Sequence, residues 1–356
     1  MSPPHIDALL AGGEIGGRTV RIQSGGTVDC HSYPVGPLAP GHVRVRTVRS
    51  AISPGTELTY IGTGASNPYL HRHWDPSLRI FDSGEASVPY PIVFGYRAAG
   101  EVVESATAAI PVGTRIYGKW RHTELVALPA EVAAEQRIPD ALTFDDAVDL
   151  GQMAPIGMNA IAYAGDELRG AATVVFGAGP VGLIVAQLAA ASGASTVHVV
   201  DRLASRLAIA RSRGLETLHS AEDVDVAREL KLRLGPDAVA VVFECTGSTR
   251  ALQEAIRTVR RRGRVVAVGF YQGESTGLYL GDEFHHNGVE IRSAQIGNIH
   301  PAWSMASLRA RVIELAVGRR IALGGLPRVT FAVEDAAKAF TAMTRPETVL
   351  QAAFTY

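Results

Sequence analysis

The chain has 356 residues, of which 47% are hydrophobic and 19% charged, with 34 Lys and Arg against 35 Asp and Glu. This length exceeds what one hydrophobic core usually organises, and the composition excludes a disordered or coiled-coil protein. A formal net charge of −1 supplies no general field that attracts nucleic acid or an acidic membrane surface. We therefore expect a folded protein of two domains with neither nucleic acid nor a membrane as partner.

The cysteine content and the N-terminus indicate the compartment. Cys30 and Cys245 are too few for a disulfide framework or a four-cysteine zinc cluster. The start MSPPHIDALLAGGEIGG lacks the basic residues and apolar run of a signal peptide, and no window reaches about 18 uninterrupted apolar residues. These features favour a cytoplasmic protein.

The pattern of residues changes twice along the chain. From about residue 19 to 117, short β-like runs are broken by Gly and Pro, which predicts an irregular β domain without long helices. Between 171 and 295, strand, turn and helix alternate, which predicts a parallel sheet covered by helices on both faces. Beyond 296, SLRARVIELAVG and EDAAKAFTAM have helical spacing, and VLQAAFTY predicts a terminal strand.

The segment GAGPVG directly follows a predicted strand and directly precedes a predicted helix. The first glycine permits a tight turn, the second lets the backbone approach a pyrophosphate, and the third allows close helix packing. The diphosphate would then meet N–H groups at the positive end of the helix. The predicted dinucleotide turn consists of Gly177, Gly179, Pro180, Val181 and Gly182.

Asp201 closes the next predicted strand. A carboxylate there can accept hydrogen bonds from both ribose hydroxyls of NAD and repels the 2′-phosphate of NADP. Arg202 and Arg206 argue in the other direction, because a guanidinium can hold that phosphate. The sequence thus predicts NAD over NADP. The alternative interpretation of the whole motif is a chance glycine-rich turn with an ordinary surface Asp. Further cofactor contacts are predicted where later strands end, at Thr246, Gly269, Phe270 and Gln295.

The β-rich N-terminal part, GAGPVGL, DRLASRLAIAR and the short C-terminal return resemble the medium-chain dehydrogenase/reductase superfamily over essentially the whole chain. Within it, SAISPGTE, PIVFGYRAAGEVVE and EFHHN resemble the branch of the bacteriochlorophyllide dehydrogenases and many so-called zinc-binding alcohol dehydrogenases. The resemblance implies an α/β protein with a GroES-like catalytic domain, residues 1–155 and 296–356. A Rossmann doubly wound domain, residues 156–295, would be inserted, with the active site in the cleft between them and a homodimer as the assembly.

The same resemblance equates Ser53, Tyr96 and Gln152 with the three positions that hold catalytic zinc in the superfamily. A hydroxyl, a phenol and an amide do not replace thiolate, imidazole and carboxylate around Zn²⁺. We therefore expect an enzyme without zinc or any other metal. The neighbours His285 and His286 would point apart, and surface or capping roles are the simpler interpretation of the remaining candidate ligands, His71, His73, His285 and His286.

Without zinc, the oxygen that becomes negative at hydride transfer needs another proton donor. Tyr96 is the predicted donor, and Ser53, Thr56 and Glu57 are the predicted groups around it or relaying its proton. A nearby cation such as Arg97 or Lys119 would lower the pKa of Tyr96. The alternative is that Tyr96 only fills the metal cavity.

Basic and polar residues suggest a polar substrate, which can carry phosphate or carboxylate, because Arg favours bidentate contacts to oxyanions. The stretch from 60 to 90 is expected to form a wall of the substrate site. Ordinary salt bridges are the alternative. The predicted substrate contacts are Gln152, Arg97, Lys119, His73 and Asn298.

Three functions follow from these residues. The first is an NAD(H)-dependent, zinc-independent oxidoreductase that interconverts a secondary alcohol and a ketone on a cyclitol or sugar-like substrate. The second is an enoyl or quinone reductase that sends hydride to an activated C=C, where a phenol would protonate the enolate. The third is a non-enzymatic nucleotide-sensing or structural protein, against which the complete nucleotide site argues.

Overall fold

The structure is a computed structural model that describes residues 16–61, 71–85 and 90–356. Two compact units are present: unit 1 contains the described residues up to Gln152 together with Pro327–Tyr356, and unit 2 is Met153–Leu326. The predicted substrate wall from 60 to 90 therefore lies partly outside the described residues.

The strands are β1 Gly16–Ile22, β2 Val28–Pro34, β3 His42–Ala51, β4 Arg72–Asp75, β5 Ile80–Ser83, β6 Ala98–Ser105, β7 Arg115–Gly118, β8 Leu125–Pro129, β9 Ala172–Phe176, β10 Thr196–Asp201, β11 Glu216–His219, β12 Val239–Glu244, β13 Arg264–Ala267, β14 Glu290–Ser293, β15 Val329–Ala332 and β16 Ala352–Thr355. The α-helices are α1 Pro54–Glu57, α2 Ala130–Glu135, α3 Phe144–Ala147, α4 Met153–Ala164, α5 Pro180–Ala191, α6 Ala204–Arg211, α7 Val226–Leu234, α8 Thr249–Thr258, α9 His285–Asn287, α10 Met305–Val317 and α11 Ala336–Met343. Single turns of other helix types lie at Leu58–Tyr60, Gly165–Leu168, Leu280–Phe284 and Val333–Asp335.

Unit 1 is built on one sheet with the strand order β15-β16-β3-β6-β7, and β8 also pairs with β3. All of these pairs are antiparallel except β15 with β16. The buried residues of α11 recur at helical spacing and form one face, which packs with Ile52 and Phe354 in one core cluster. Two separate hairpins, β1-β2 and β4-β5, complete the unit.

Unit 2 contains a fully parallel sheet with the order β11-β10-β9-β12-β13-β14. The order reverses between β9 and β12, where doubly wound sheets bind their ligands at the carboxyl ends of the strands. Every residue of β12 is buried, as expected for a central strand with helices on both faces. This arrangement confirms the predicted fold class.

Residues 296–326 pack with unit 2, whereas the sequence assigned them to the other domain. The helix α10 in this segment begins at a capping box formed by Ser304 and Ser307 and packs against α4 of the same unit. The domain boundaries at 155 and 295 stay predictions, and the compact unit itself ends at Leu326.

Candidate active site

The first predicted catalytic segment is the turn that follows β3. Pro54 occupies the first turn of α1, where its fixed φ suits a helix start and its missing N–H is not needed. Glu57, at the end of α1, is fully buried, and its Oε1 accepts the backbone N–H of Ser53 at 2.8 Å. A carboxylate is thereby fixed inside unit 1 and holds the Ser53 backbone in place.

Tyr96 lies beside this turn. The preceding Gly95 has a φ of +120°, and a Cβ there would be 2.5 Å from the backbone nitrogen of His122, so this close approach requires glycine. The Tyr96 phenol forms hydrogen bonds with the side chains of Ser53 and Thr56. The four predicted catalytic residues therefore form one cluster, which we call the Tyr96 cluster: Ser53, Thr56, Glu57 and Tyr96.

The surroundings of Tyr96 keep its phenol protonated. Burial raises the pKa of Tyr96 above its ordinary value, and the hydrogen bonds from Ser53 and Thr56 oppose this rise. The charge of Glu57 adds to the rise, whereas Arg97 opposes it. The expected lowering of the Tyr96 pKa by a nearby cation is thus outweighed by burial. The phenol therefore carries its proton at neutral pH.

His122 is the functional candidate that sequence reasoning missed. It is fully buried, and its Nε2 lies 2.9 Å from Oε2 of Glu57. Because a carboxylate only accepts, Nε2 carries the proton of this bond. The other ring nitrogen, Nδ1, lies 2.7 Å from the hydroxyl of Ser50, which in turn lies 2.7 Å from the hydroxyl of Tyr356. The only signal in the sequence was a lone histidine next to a β-like run.

Arg97 has a different role from the one predicted. Its side chain is fully buried and forms an ion pair with the equally buried Asp149. Its Nη1 donates to the Ile52 carbonyl at 2.8 Å, and its Nη2 donates to Oε1 of Gln351 at 2.6 Å. These contacts leave Arg97 no exposed surface for a substrate, so we assign it to the structural support of unit 1. Glu57, for its part, pairs with His122.

Among the described residues, no hydrogen bond joins Tyr96 to the other predicted substrate residues. Lys119 is exposed and Gln152 is partly buried. His73 is exposed on β4, with its Nε2 2.8 Å from the Glu85 carbonyl oxygen. Asn298 is exposed in unit 2, and its carbonyl accepts a hydrogen bond from Tyr163 at 3.1 Å. Their substrate contacts stay predictions.

The positions that the family resemblance equates with zinc ligands do not fit the ion. Ser53 and Tyr96 satisfy each other by a hydroxyl–phenol hydrogen bond, and burial favours the neutral phenol over the anion that a metal would need. Within residues 16–61, 71–85 and 90–356, no group of three or more His, Cys, Asp or Glu side chains is arranged to hold a metal.

The glycine turn of unit 2 has the geometry that a dinucleotide requires. Gly177 has a φ of +99°, and a Cβ on Gly182 would lie 1.8 Å from the Gly177 carbonyl oxygen. Gly179 is different, because its nearest neighbour would be Nη1 of Arg206 at 3.8 Å. Its lack of a side chain leaves space beside the start of α5, where Pro180 and the partly exposed Val181 lie. This space fits a diphosphate on the helix N-terminus.

Asp201 ends β10 next to this turn. Its Oδ2 accepts the N–H of Ala178 at 2.7 Å, and its Oδ1 accepts the N–H of Leu203 at 2.8 Å. Burial lowers the pKa of Arg206, and its Nε is buried without a hydrogen-bond partner among the described residues, whereas Arg202 is exposed. The carboxylate therefore orders the glycine turn, and Arg206 has a donor available for an anionic group.

The remaining predicted cofactor residues follow later strands. Thr246 comes after β12, and Gly269 and Phe270 come after β13. The loops touch, since a Cβ on Gly269 would be 2.1 Å from the Gly247 nitrogen. Gln295 follows β14 and is exposed, with its Oε1 accepting the Gly297 N–H at 2.5 Å. All four thus lie at the carboxyl ends of strands, where a parallel sheet of this order binds nucleotides.

Comparison with known proteins supports the assignment of a dehydrogenase. Residues 180–310 match the family model of the zinc-binding dehydrogenases. This match lies within unit 2 and includes none of Ser53, Tyr96 and Gln152, so it carries no information about zinc ligands. D-guloside 3-dehydrogenase of Escherichia coli K12 is 29% identical over 312 residues, which cover 83% of this chain and 87% of that protein.

Solved structures share the fold. L-idonate 5-dehydrogenase from E. coli K-12 has a TM-score of 0.76 at 14% identity, covering 97% of this chain and 99% of that chain. A putative zinc-binding dehydrogenase from Sinorhizobium meliloti 1021, bound to NADP, has a TM-score of 0.72 at 20% identity, covering 96% and 99%. An alcohol dehydrogenase from E. coli CFT073, complexed with NADH, has a TM-score of 0.72 at 18% identity, covering 97% and 100%.

The fold of unit 2 and its glycine turn define a protein that binds a nicotinamide dinucleotide. Together with the family match in unit 2, the relative that covers 83% of the chain and the shared fold, they support the resemblance to the medium-chain dehydrogenase/reductase superfamily. In the described part of the chain, no helix combines the length and the apolar character needed to cross a membrane.

Proposed function

We propose that the protein is an NAD(H)-dependent, zinc-independent oxidoreductase that interconverts a secondary alcohol and a ketone on a polar, sugar-like substrate. The observation that carries this proposal is the Tyr96 cluster, in which a phenol kept neutral by burial is hydrogen-bonded to two hydroxyl side chains. The names of the relatives support the substrate class, since D-guloside and L-idonate are sugar derivatives.

The chemistry assigned to each residue follows from its surroundings. Bound nicotinamide supplies the hydride in reduction and accepts it in oxidation. In reduction, Tyr96 donates its proton to the oxygen of the ketone and becomes a phenolate, which the hydroxyls of Ser53 and Thr56 stabilise by hydrogen bonds. In oxidation the phenolate takes the proton of the alcohol, and the phenol is restored. Glu57 keeps the Ser53 backbone in place and disfavours the phenolate.

The residues of unit 2 support the assignment of NAD. Asp201 ends β10, where a carboxylate recognises ribose hydroxyls and repels a 2′-phosphate. Its two oxygens already hold backbone N–H groups, which fixes the carboxylate in one orientation. Arg206 would contact the diphosphate through its guanidinium, whose Nη1 lies beside Gly179.

The test is turnover of a panel of polyols and glycosides with NAD or NADP, and of ketones and enones with the reduced forms, followed by the absorbance of the reduced nicotinamide. We expect alcohol oxidation with NAD and ketone reduction with NADH. Turnover of enones alone would establish the C=C reductase instead. Stoichiometric zinc in the purified protein, with activity abolished by EDTA, would refute zinc independence.

Tyr96→Phe tests the proton donor directly, because it removes one oxygen and keeps the ring. We expect kcat to fall on the order of 10²-fold, the scale for losing a general acid or one oxyanion donor. Affinity for NADH, measured by titration, should not change. A loss smaller than about threefold would show that Tyr96 only fills space, because loss of a general acid costs far more.

A further inference from the structure

The carboxylate of Glu244 lies at the end of β12 and is fully buried. It accepts hydrogen bonds from the Thr246 N–H at 2.7 Å, the Thr246 hydroxyl, and the Gly247 N–H at 3.1 Å. The hydroxyl of Tyr271 donates a fourth hydrogen bond at 2.6 Å. An ionised carboxylate offers about four acceptor positions, so a neutral side chain of the same size could not satisfy all of these donors.

Tyr271 connects this carboxylate to the next loop. It follows β13, so its hydrogen bond joins the chain after the fourth strand of the sheet to the chain after the fifth. Burial and the neighbouring Glu244 raise the pKa of Tyr271 far above its ordinary value, which keeps the hydroxyl a donor.

Two glycines bring the loops into direct backbone contact. Gly247 has a φ of +73°, and a Cβ on it would lie 2.5 Å from the Phe270 carbonyl oxygen. A Cβ on Gly269 would lie 2.1 Å from the Gly247 nitrogen. The two loops therefore form a single surface, which we call the β12/β13 surface: Thr246, Gly247, Gly269 and Phe270.

The position of this surface in the sheet indicates which half of the cofactor it would contact. A sheet of this order consists of two mononucleotide-binding halves on either side of the point where the order reverses. Asp201 lies in the half that contains β10 and would take the adenosine ribose. The β12/β13 surface belongs to the other half and would face the nicotinamide mononucleotide.

We infer that Glu244 and Tyr271 are positioning residues that hold the β12/β13 surface in the form that binds the nicotinamide half of the cofactor. This inference rests on the proposed function, since it requires a nicotinamide dinucleotide in unit 2. Neither side chain has to touch the cofactor, because Glu244 acts through the Thr246 and Gly247 backbone. Tyr271 acts through Glu244.

The experiment compares two ligands on three proteins: wild type, Tyr271→Phe, and the control Tyr279→Phe. Tyr279 lies in the same unit, but its side chain is 64% exposed. NADH contains both halves of the cofactor, whereas AMP contains only the adenosine half. Affinities are measured by isothermal titration and stability by thermal melting.

For Tyr271→Phe we expect NADH binding to weaken roughly tenfold, the scale for losing a hydrogen bond to a charged group, with AMP binding unchanged. Tyr279→Phe should match the wild type for both ligands. NADH affinity within about twofold of wild type, or an equal loss for both ligands, would overturn the inference, because the selective loss should be nearer tenfold. If the wild type binds neither NADH nor NADPH, the proposed function fails instead.

Discussion

Replacing Glu57 by glutamine or by alanine separates the charge of this residue from its hydrogen bonds. The glutamine oxygen can still accept the Ser53 N–H, and the new amide N–H can donate to Nε2 of His122 if the imidazole changes tautomer and donates from Nδ1 to Ser50. We therefore expect Glu57→Gln to lie within about 1 kcal/mol of wild-type stability.

Alanine removes both acceptor oxygens from a fully buried site. The Ser53 N–H and the His122 ring N–H then lose their partners at about 1–3 kcal/mol each. We expect Glu57→Ala to lower the free energy of unfolding by about 2–6 kcal/mol, measured by urea denaturation. A loss below about 1 kcal/mol would refute the assignment of Glu57 as a buried anchor.

The charge of Glu57 also affects the pH dependence of the reaction. Ketone reduction requires the protonated phenol, so activity is lost as the pH rises through the pKa of Tyr96. The charge of Glu57 raises this pKa, and its removal in Glu57→Gln should move the alkaline limb of the pH–rate profile to lower pH. The control is Glu124→Gln, which removes another buried carboxylate of unit 1 that pairs with Arg18. An alkaline limb that stays in place or moves upward in Glu57→Gln would contradict the proposed proton donor.

Two further predictions concern Asp201 in unit 2 and Arg97 in unit 1. Asp201→Asn should weaken NAD binding and narrow the preference for NAD over NADP, which parallel titrations of both cofactors measure; tighter binding of NADPH than NADH by the wild type would contradict the cofactor assignment. Arg97→Met should destabilise the protein by about 3 kcal/mol, at the lower end for a broken buried pair because Arg328 still contacts Asp149 at 3.0 Å. A urea midpoint equal to that of the wild type would show that Arg97 is dispensable for stability.

The parts of the fold that were predicted correctly are those coded locally. The turn at Gly177 to Gly182 lies between a strand and a helix that its neighbours already specify, and the helices α10 and α11 show clear spacing. The short strands β11 and β15 and the helix α7 were not predicted. Each of these strands is only four residues long and lies at the edge of its sheet. Few buried contacts there require a regular pattern of apolar residues.

The site was predicted less completely, because burial and distant partners decide its chemistry. Arg97 reads as a free cation in the sequence, but Asp149 and Gln351, 52 and 254 residues away, enclose it. His122 could not be distinguished from a surface histidine until β3 and α1 placed Ser50 and Glu57 on either side of its ring. The sequence predicted which residues form the Tyr96 cluster, whereas their burial and hydrogen-bond partners depend on the fold.

The strand β16 has a consequence for how the chain folds during synthesis. It pairs with β3, so that Ala353 lies opposite Ala51 and Phe354 opposite Ser50, whereas unit 2 is formed by the continuous stretch Met153–Leu326. On the ribosome, unit 2 can therefore reach its native packing before β16, the last strand of unit 1, has been synthesised. N-terminal domains usually fold first. Here the end of β3 at Ser50 and Ala51 lacks its β16 partner until the C-terminal residues have been synthesised, although β6 and β8 can already pair with the rest of the strand.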